Sequence, residues 1–174
     1  MPENPVLNRL RAQLGEAVVE THAHRGDVTV VVHPDRYHEA MRLLHDDPES
    51  DYDFMTDITC VDRLKLKLQP RFEVVVHLYS SRHNARIRVK TRPLSDTDPR
   101  VDSIVDIYPG ANWPEREAYD MFGIRFNGHP DLRRILMYEE FVGHPLRKDY
   151  PVNKRQPRIP MRDIPDDRPG MMFV

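Results

Sequence analysis

The chain is 174 residues long, 39% hydrophobic and 31% charged, with a formal net charge of −2. That length suits one domain plus an extension and can bury a real core, and the near-neutral balance argues against a nucleic-acid binder as a whole. No run reaches the roughly 18 apolar residues of a membrane-spanning helix.

The opening MPENPVLNRLRAQLGEAV carries Glu3 and Glu16 and no continuous apolar stretch. It reads as the first helix of a cytosolic protein, neither a secretory signal nor a transit peptide. Val6, Leu7, Leu10 and Leu14 recur at three- and four-residue steps and predict a short amphipathic helix. Val18–Thr21 and Val28–His33 are rich in β-branched residues around Gly26-Asp27 and predict two strands joined by a turn. Pro34 opens a second helix with Tyr37, Met41 and Leu44 on one face. Phe54, Ile58 and Cys60 share one parity of a strand, and 72–79 with 85–91 form a hairpin around Ser81–Asn84. In its second strand Ile87 and Val89 alternate with Arg86, Arg88 and Lys90, so one face is wet. Val101, Ile104, Val105 and Tyr108 predict another helix. A last short helix has Asn112 as its cap, Glu115 at the capping-box position, Pro114 in the first turn and Gly123 at the left-handed end. Within it Arg116 and Asp120 stand four residues apart and are expected to pair, and Glu117 can meet an arginine if the chain folds back. This order predicts an α+β fold, with helices packed on one face of a mainly antiparallel sheet.

Composition changes near residue 124. Residues 125–174 hold 10 Lys+Arg against 7 Asp+Glu, whereas residues 1–124 hold 16 against 21. Seven of the 16 prolines also lie in the later part. The expected division is therefore an α+β domain over 1–124 and an extended, proline-rich C-terminal docking segment over 125–174. Prolines at 145, 151, 157, 160, 165 and 169 withhold backbone donors and favour an extended course. Fixing such a chain costs about 1–2 kcal/mol per residue in backbone entropy. Its few apolar anchors include Leu146, Tyr150, Val152, Ile159, Ile164 and the terminal Met171-Met172-Phe173-Val174, so it is expected to order on another surface.

Several chemistries find no support in the residue pattern. Cys60 is the only cysteine, so a CxxC pair, an internal disulfide and the thiolate set of an iron–sulfur cluster are all excluded within this chain. It lies in an apolar strand pattern, where a thiol is usually a small inert core group. A zinc site needs three or four convergent ligands; His22 with His24, and His129 with His144, do not supply that spacing. No nucleophile elbow, phosphate-binding loop or dinucleotide fingerprint is present. The cluster Arg147, Lys148, Lys154, Arg155, Arg158 and Arg162 could track phosphates, yet Tyr150 is the only aromatic between Arg147 and Arg162. A basic tail laid over an acidic protein surface accounts for the same residues.

One phrase occurs twice: Gly-His-Pro, then Leu-Arg and a second basic residue, at 128–134 and at 143–148. The run ANWPEREAYDMFGIRFNGHPDLRRILM, with GHPLRKDYP further on, closely resembles the C subunit of proton-translocating NADH:quinone oxidoreductase, respiratory complex I. The resemblance rests on Glu115, Arg116, Glu117 and Asp120, on His129-Pro130-x-Leu132-x-Arg134-Ile135, and on the 143–151 run. One departure is Phe141-Val142, where the pattern carries a tryptophan and a polar residue. The resemblance implies membership of an enzyme complex, with no catalytic residues in this chain. It implies no cofactor here either, with FMN, iron–sulfur clusters and quinone held by other chains of the complex. The implied partners are the quinone-site subunit and neighbouring cluster-binding subunits, with no nucleic acid. The implied location is the cytoplasmic side of a bacterial inner membrane, reached through the complex only. Related subunits of membrane-bound hydrogenases are the alternative. In this reading each Gly-His-Pro is a rigid turn that sets an arginine on a carboxylate. Glu115, Arg116, Glu117, Asp120, Arg133 and Arg134 are expected to form an internal ion network. His129, His144, Leu146, Arg147, Lys148, Asp149, Tyr150, Arg155 and Arg158 are expected to face a partner.

Overall fold

The computed structural model describes residues 4–158. Expectations resting on Ile159, Arg162, Ile164 and the terminal Met171–Val174 lie outside the described residues.

Helix α1 (Pro5–Leu14) is started by Asn4, whose side-chain oxygen accepts from the N–H of Val6 at 3.0 Å. It buries Leu10 and Leu14. Strands β1 (Val18–His24) and β2 (Asp27–Val32) make the first antiparallel pair. A single 3₁₀ turn at Pro34–Arg36 leads into α2 (Tyr37–Asp46), which buries Tyr37, Ala40, Met41 and Leu44 at helical spacing. Then come β3 (Phe54–Asp62), β4 (Phe72–Ser80) and β5 (Ala85–Thr91), as their β-branched content predicts.

The five strands form one sheet in the order β1-β2-β5-β4-β3, and only β2 and β5 run parallel. Its core face carries Val30, Val32, Ile58, Val74, Val76, Leu78, Ile87 and Val89, joined in one cluster with the buried residues of all three α-helices. The opposite face is charged: buried Glu73 accepts from Lys90 Nζ at 2.8 Å and Arg92 Nε at 2.7 Å. The expected α+β class, with helices on one face of a mainly antiparallel sheet, is the class observed.

Three local expectations differ from the structure. The helix expected over 101–108 is instead strand β6 (Arg100–Asp102) followed by a turn. Val101 pairs with Phe126 of β7 (Arg125–Asn127) in a small parallel sheet, and Ile104 and Tyr108 are buried from the turn. Apolar spacing of three and four residues serves a turn packed on a core as well as a helix. Secondly, Phe54 does not follow the parity of Ile58 and Cys60. A register shift between Met55 and Asp57 turns it outward, leaving it 56% exposed. Thirdly, helix α3 (Asn112–Phe122) has Ala111 rather than Asn112 in front of it, because a 3₁₀ turn at Pro109–Ala111 feeds straight into it. Glu115 makes no capping box; its carboxylate reaches the 103–104 turn.

Gly123 ends α3 with φ +76°, in the left-handed conformation expected of it. The chain continues directly into β7, so residues 125–127 are hydrogen-bonded into the body of the fold. From Gly128 to Arg158 it runs through turns with neither helix nor strand.

Candidate functional site

The segment 128–150 wraps helix α3, and the repeated phrase meets the two ends of that helix. At the N-terminal end, His129 Nε2 donates to the carbonyl of Asn112 at 3.1 Å, while Asp131 N–H donates to His129 Nδ1 at 3.0 Å. These two bonds select the tautomer with its proton on Nε2. At the C-terminal end, the last carbonyls of a helix have no partner within it. Here the second phrase supplies the partners. His144 Nδ1 donates to the Asp120 carbonyl at 2.9 Å, Leu146 N–H to Met121 at 3.1 Å, and Arg147 Nε to Phe122 at 2.6 Å. Burial lowers the His144 pKa, in keeping with an imidazole that donates to a carbonyl while neutral.

Gly123 makes this close approach possible. A Cβ at this position would lie 2.5 Å from Arg147 Nη2 and 2.6 Å from His144 Nε2. We expect Gly123→Ala to cost roughly 1–2 kcal/mol for the left-handed backbone alone, and about 3 kcal/mol once both side chains are displaced. Urea unfolding checks the size of the effect. Faster proteolysis after Arg147 at unchanged helix content would mark the seam as the part that opens.

Between the two ends, Asp120 holds the segment along the helix. Its carboxylate is fully buried and accepts four bonds: Arg134 Nη1 at 2.7 Å, and the N–H groups of Ile135, Leu136 and Met137 at 3.1, 2.8 and 2.8 Å. Burial pushes its pKa up, but these donors outweigh burial and hold it below the usual value. Arg134 also donates to the Gly143 carbonyl at 3.0 Å, tying the two phrases together. The expected Arg116–Asp120 pair does not form. Arg116 instead donates to the carbonyls of Arg133 and Arg134, while Arg133 turns outward to Asp131. Glu117 is exposed and outside the network.

A second buried carboxylate anchors the end of the segment. Asp62 accepts Arg71 Nη2 at 2.6 Å, Arg71 Nε at 3.0 Å, Leu64 N–H at 3.0 Å and Lys148 N–H at 2.8 Å. Burial would raise its pKa; Arg71 and the two backbone donors take it down to about 2. The same Arg71 grips Asp149 with two bonds, at 3.0 and 2.7 Å. His129, His144, Arg147 and Asp149, expected to face a partner, are therefore engaged within the chain. The physical reason is that the C-terminal carbonyls of α3 take His144 and Arg147, the Asn112 carbonyl takes His129, and Arg71 of the β3–β4 ion pair takes Asp149. Lys148, Arg155 and Arg158 are exposed, as is Leu146. Tyr150 stacks on Phe141 with ring centroids 6.1 Å apart and receives Gln156 at its hydroxyl. Among the described residues the basic side chains thus form no continuous strip. Lys154 points to the Val142 carbonyl and Arg147 points inward.

Asp62 and Arg71 carry much of this seam, and Ser103, outside it, holds Glu115 in the first turn of α3; none was singled out from the sequence. Asp62 had a readable signal: it shares the core-facing parity of Ile58 and Cys60, where a carboxylate requires a partner. Among the described residues Glu115 is the buried acid without a cation. Ser103 Oγ donates to it at 2.6 Å and Ile104 N–H at 2.8 Å. Burial pushes its pKa up to about 7 against those two donors. The hydroxyl of buried Tyr37, close enough to feel its charge, has no hydrogen-bond partner among the described residues.

Residues 30–156 match the family model described as "Respiratory-chain NADH dehydrogenase, 30 Kd subunit". The chain belongs to this family. A relative from Roseiflexus sp. (strain RS-1), named as the C subunit of NADH-quinone oxidoreductase, is 46% identical over 151 residues, covering 87% of this chain and 85% of the relative. For the relative of the same name in Roseiflexus castenholzii the figure is 47% over 155 residues, covering 88% and 87%. Among solved structures, a chain of an archaeal respiratory membrane complex, the membrane-bound sulfane sulfur reductase, superposes with a TM-score of 0.67 at 28% identity, over 85% of each chain. The family match ends at residue 156, so it includes the whole α3 seam. No helix among the described residues is long and apolar enough to cross a membrane.

The residues of this family member do not fit an iron–sulfur cluster. A cluster is held by thiolates, whereas the single thiol, Cys60, is buried and pushed up to about 12 by that burial.

Proposed function

We propose that this chain is a non-redox structural subunit in the peripheral arm of an NADH:quinone oxidoreductase, on the cytoplasmic side of a bacterial inner membrane. Such a complex passes electrons from NADH through FMN and iron–sulfur clusters to quinone, coupled to proton translocation. In this reading other chains hold those groups. This one supports the quinone-site subunit, touches neighbouring cluster-binding subunits, and meets the membrane only through the complex. Membership in the subunit family supports the setting. One observation carries the structural role: the Asp120 carboxylate at the centre of the family motif is closed off by four donors. A group so placed, buried and engaged on both oxygens, organises the segment around it.

The likeness to the sulfane sulfur reductase chain favours a second reading, an equivalent subunit in a related membrane-bound complex with another electron donor, hydrogenases included. Native purification of the full-length tagged chain from membranes separates the two. Co-purification with the quinone-site subunit and NADH-dependent quinone reduction is the expected result. Oxidation of a different donor selects the second reading. Stoichiometric flavin or iron on the purified chain alone would overturn both. We further expect Arg147→Ala to reduce the amount of complex while leaving turnover per assembled complex unchanged. Normal assembly with lost turnover would instead assign Arg147 a chemical role.

A further inference from the structure

The loop between β3 and β4 reads Arg63-Leu64-Lys65-Leu66-Lys67-Leu68-Gln69-Pro70-Arg71. Its three leucines are 41%, 64% and 46% exposed, an unusual density of open apolar side chains for one turn. Nothing in the seam around α3 uses them. Yet the turn that carries them is firmly built. Arg63 N–H donates to the Arg71 carbonyl at 2.8 Å, closing the base, and Leu66 N–H donates to the Arg63 carbonyl at 2.9 Å. Leu64 N–H is held by Asp62, the same carboxylate that anchors Arg71 and Lys148.

Charge narrows what this ridge can meet. No acidic residue lies between Arg63 and Arg71. The two arginines are already engaged, Arg63 with the Pro70 carbonyl and Glu73, and Arg71 with Asp62 and Asp149. Lys65 and Lys67 are exposed and form no ion pair among the described residues. We propose that Leu64–Leu68 is a preformed docking ridge for a neighbouring protein subunit, whose complementary surface is an apolar hollow rimmed by carboxylates. The inference rests on the reading of the chain as a subunit of a larger complex and adds a surface to it.

A protein partner fits better than a lipid surface on two grounds. The leucines sit on a short turn fixed at its base by hydrogen bonds to Arg71 and Asp62, so little freedom is lost on docking into a shaped hollow. The first 124 residues carry an excess of acid, 21 against 16 basic residues, which opposes approach to an anionic bilayer but not pairing of two lysines with a local acidic rim.

The test uses the full chain with Leu66→Cys, in which Cys60 is buried and leaves one reactive thiol. Maleimide labelling is timed on the free chain and on the purified complex. Rapid labelling when free and strong protection in the complex is the expected result. Leu66→Asp, at a site too exposed to unfold the chain, should keep the wild-type thermal midpoint and lose at least about tenfold in affinity for the complex lacking this chain. Equal labelling rates in both states, or undiminished affinity of Leu66→Asp, would overturn the ridge. Flotation of the wild-type chain with phosphatidylglycerol–phosphatidylcholine vesicles, abolished by Leu66→Asp, would also overturn it in favour of lipid. If the wild-type chain enters no complex, the reading as a subunit fails; if it enters and Leu66→Cys stays reactive, only the ridge fails.

Discussion

Asp120→Ala should lower the stability of the isolated chain by about 3–5 kcal/mol, because it removes a fully buried carboxylate from a partly buried arginine and from three backbone N–H groups at once. For a chain of this size that corresponds to a fall of about 10 °C in the melting midpoint. Asp120→Asn should lie between, since the amide keeps one acceptor but points a donor at groups that already donate. The loss has a specific remedy. Arg134 is left as an uncompensated, poorly solvated charge by Asp120→Ala, so adding Arg134→Met should return part of the lost stability. A double-mutant cycle in urea measures the coupling. A loss below about 1 kcal/mol for Asp120→Ala would mean that water reaches these donors and that the carboxylate is not the organiser of the segment. The expected partial recovery in the double variant also separates an electrostatic defect from simple collapse of the helix.

The two Gly-His-Pro phrases act on one element: the first meets α3 through Arg134 and Asp120, as the expected internal network has it, whereas the second, expected on a partner, caps the same helix. A glycine, a histidine before proline and a following arginine identify turns with donors attached. They do not say which carbonyl or carboxylate will be within 3 Å. The pairing of Arg116 with Asp120 was the local solution at four-residue spacing. Tertiary packing displaced it, because Asp120 is buried and Arg134, arriving from outside the helix, can approach with three backbone N–H groups beside it. The same limit explains 101–108. Apolar spacing located Val101, Ile104 and Tyr108 as buried but missed Ile107 and included half-buried Val105, whereas pairing of Val101 with Phe126 depends on a strand twenty-five residues away. The α+β arrangement was legible because periodicity of two and of three to four is set within each element. The Asp62–Arg71–Asp149 anchor was not, since it joins residues 78 positions apart that carry no mutual sequence mark.

Raising the pH from 5 to 8 should remove about 3 kcal/mol of stability through Glu115, and Glu115→Gln should abolish that contribution. The sign follows from the two carboxyl environments. In the unfolded chain Glu115 has an ordinary value of 4.5, while in the fold burial pushes it up to about 7. Between those values the folded chain binds more proton than the unfolded chain, so stability is full below pH 4.5 and declines until about pH 7. His144 and His77 act in the opposite sense. Burial lowers both in the fold, so they add stability as the pH rises towards their ordinary value. Asp62 contributes at the acid end together with Asp120 and Glu73, which are also held below their usual values: depressed to about 2 from 3.8, Asp62 stabilises above that range and ceases to do so as the pH falls through it. The wild-type profile therefore mixes opposing contributions, and the difference between wild type and Glu115→Gln isolates the buried acid. Glutamine keeps the oxygen that receives Ile104 N–H while removing the charge. Urea midpoints at half-unit intervals from pH 4 to 8 should show the variant gaining on wild type progressively above pH 4.5. A difference curve that stays level across that range would mean that Ser103 and Ile104 alone compensate the buried charge, and that no proton is held at Glu115 near neutrality.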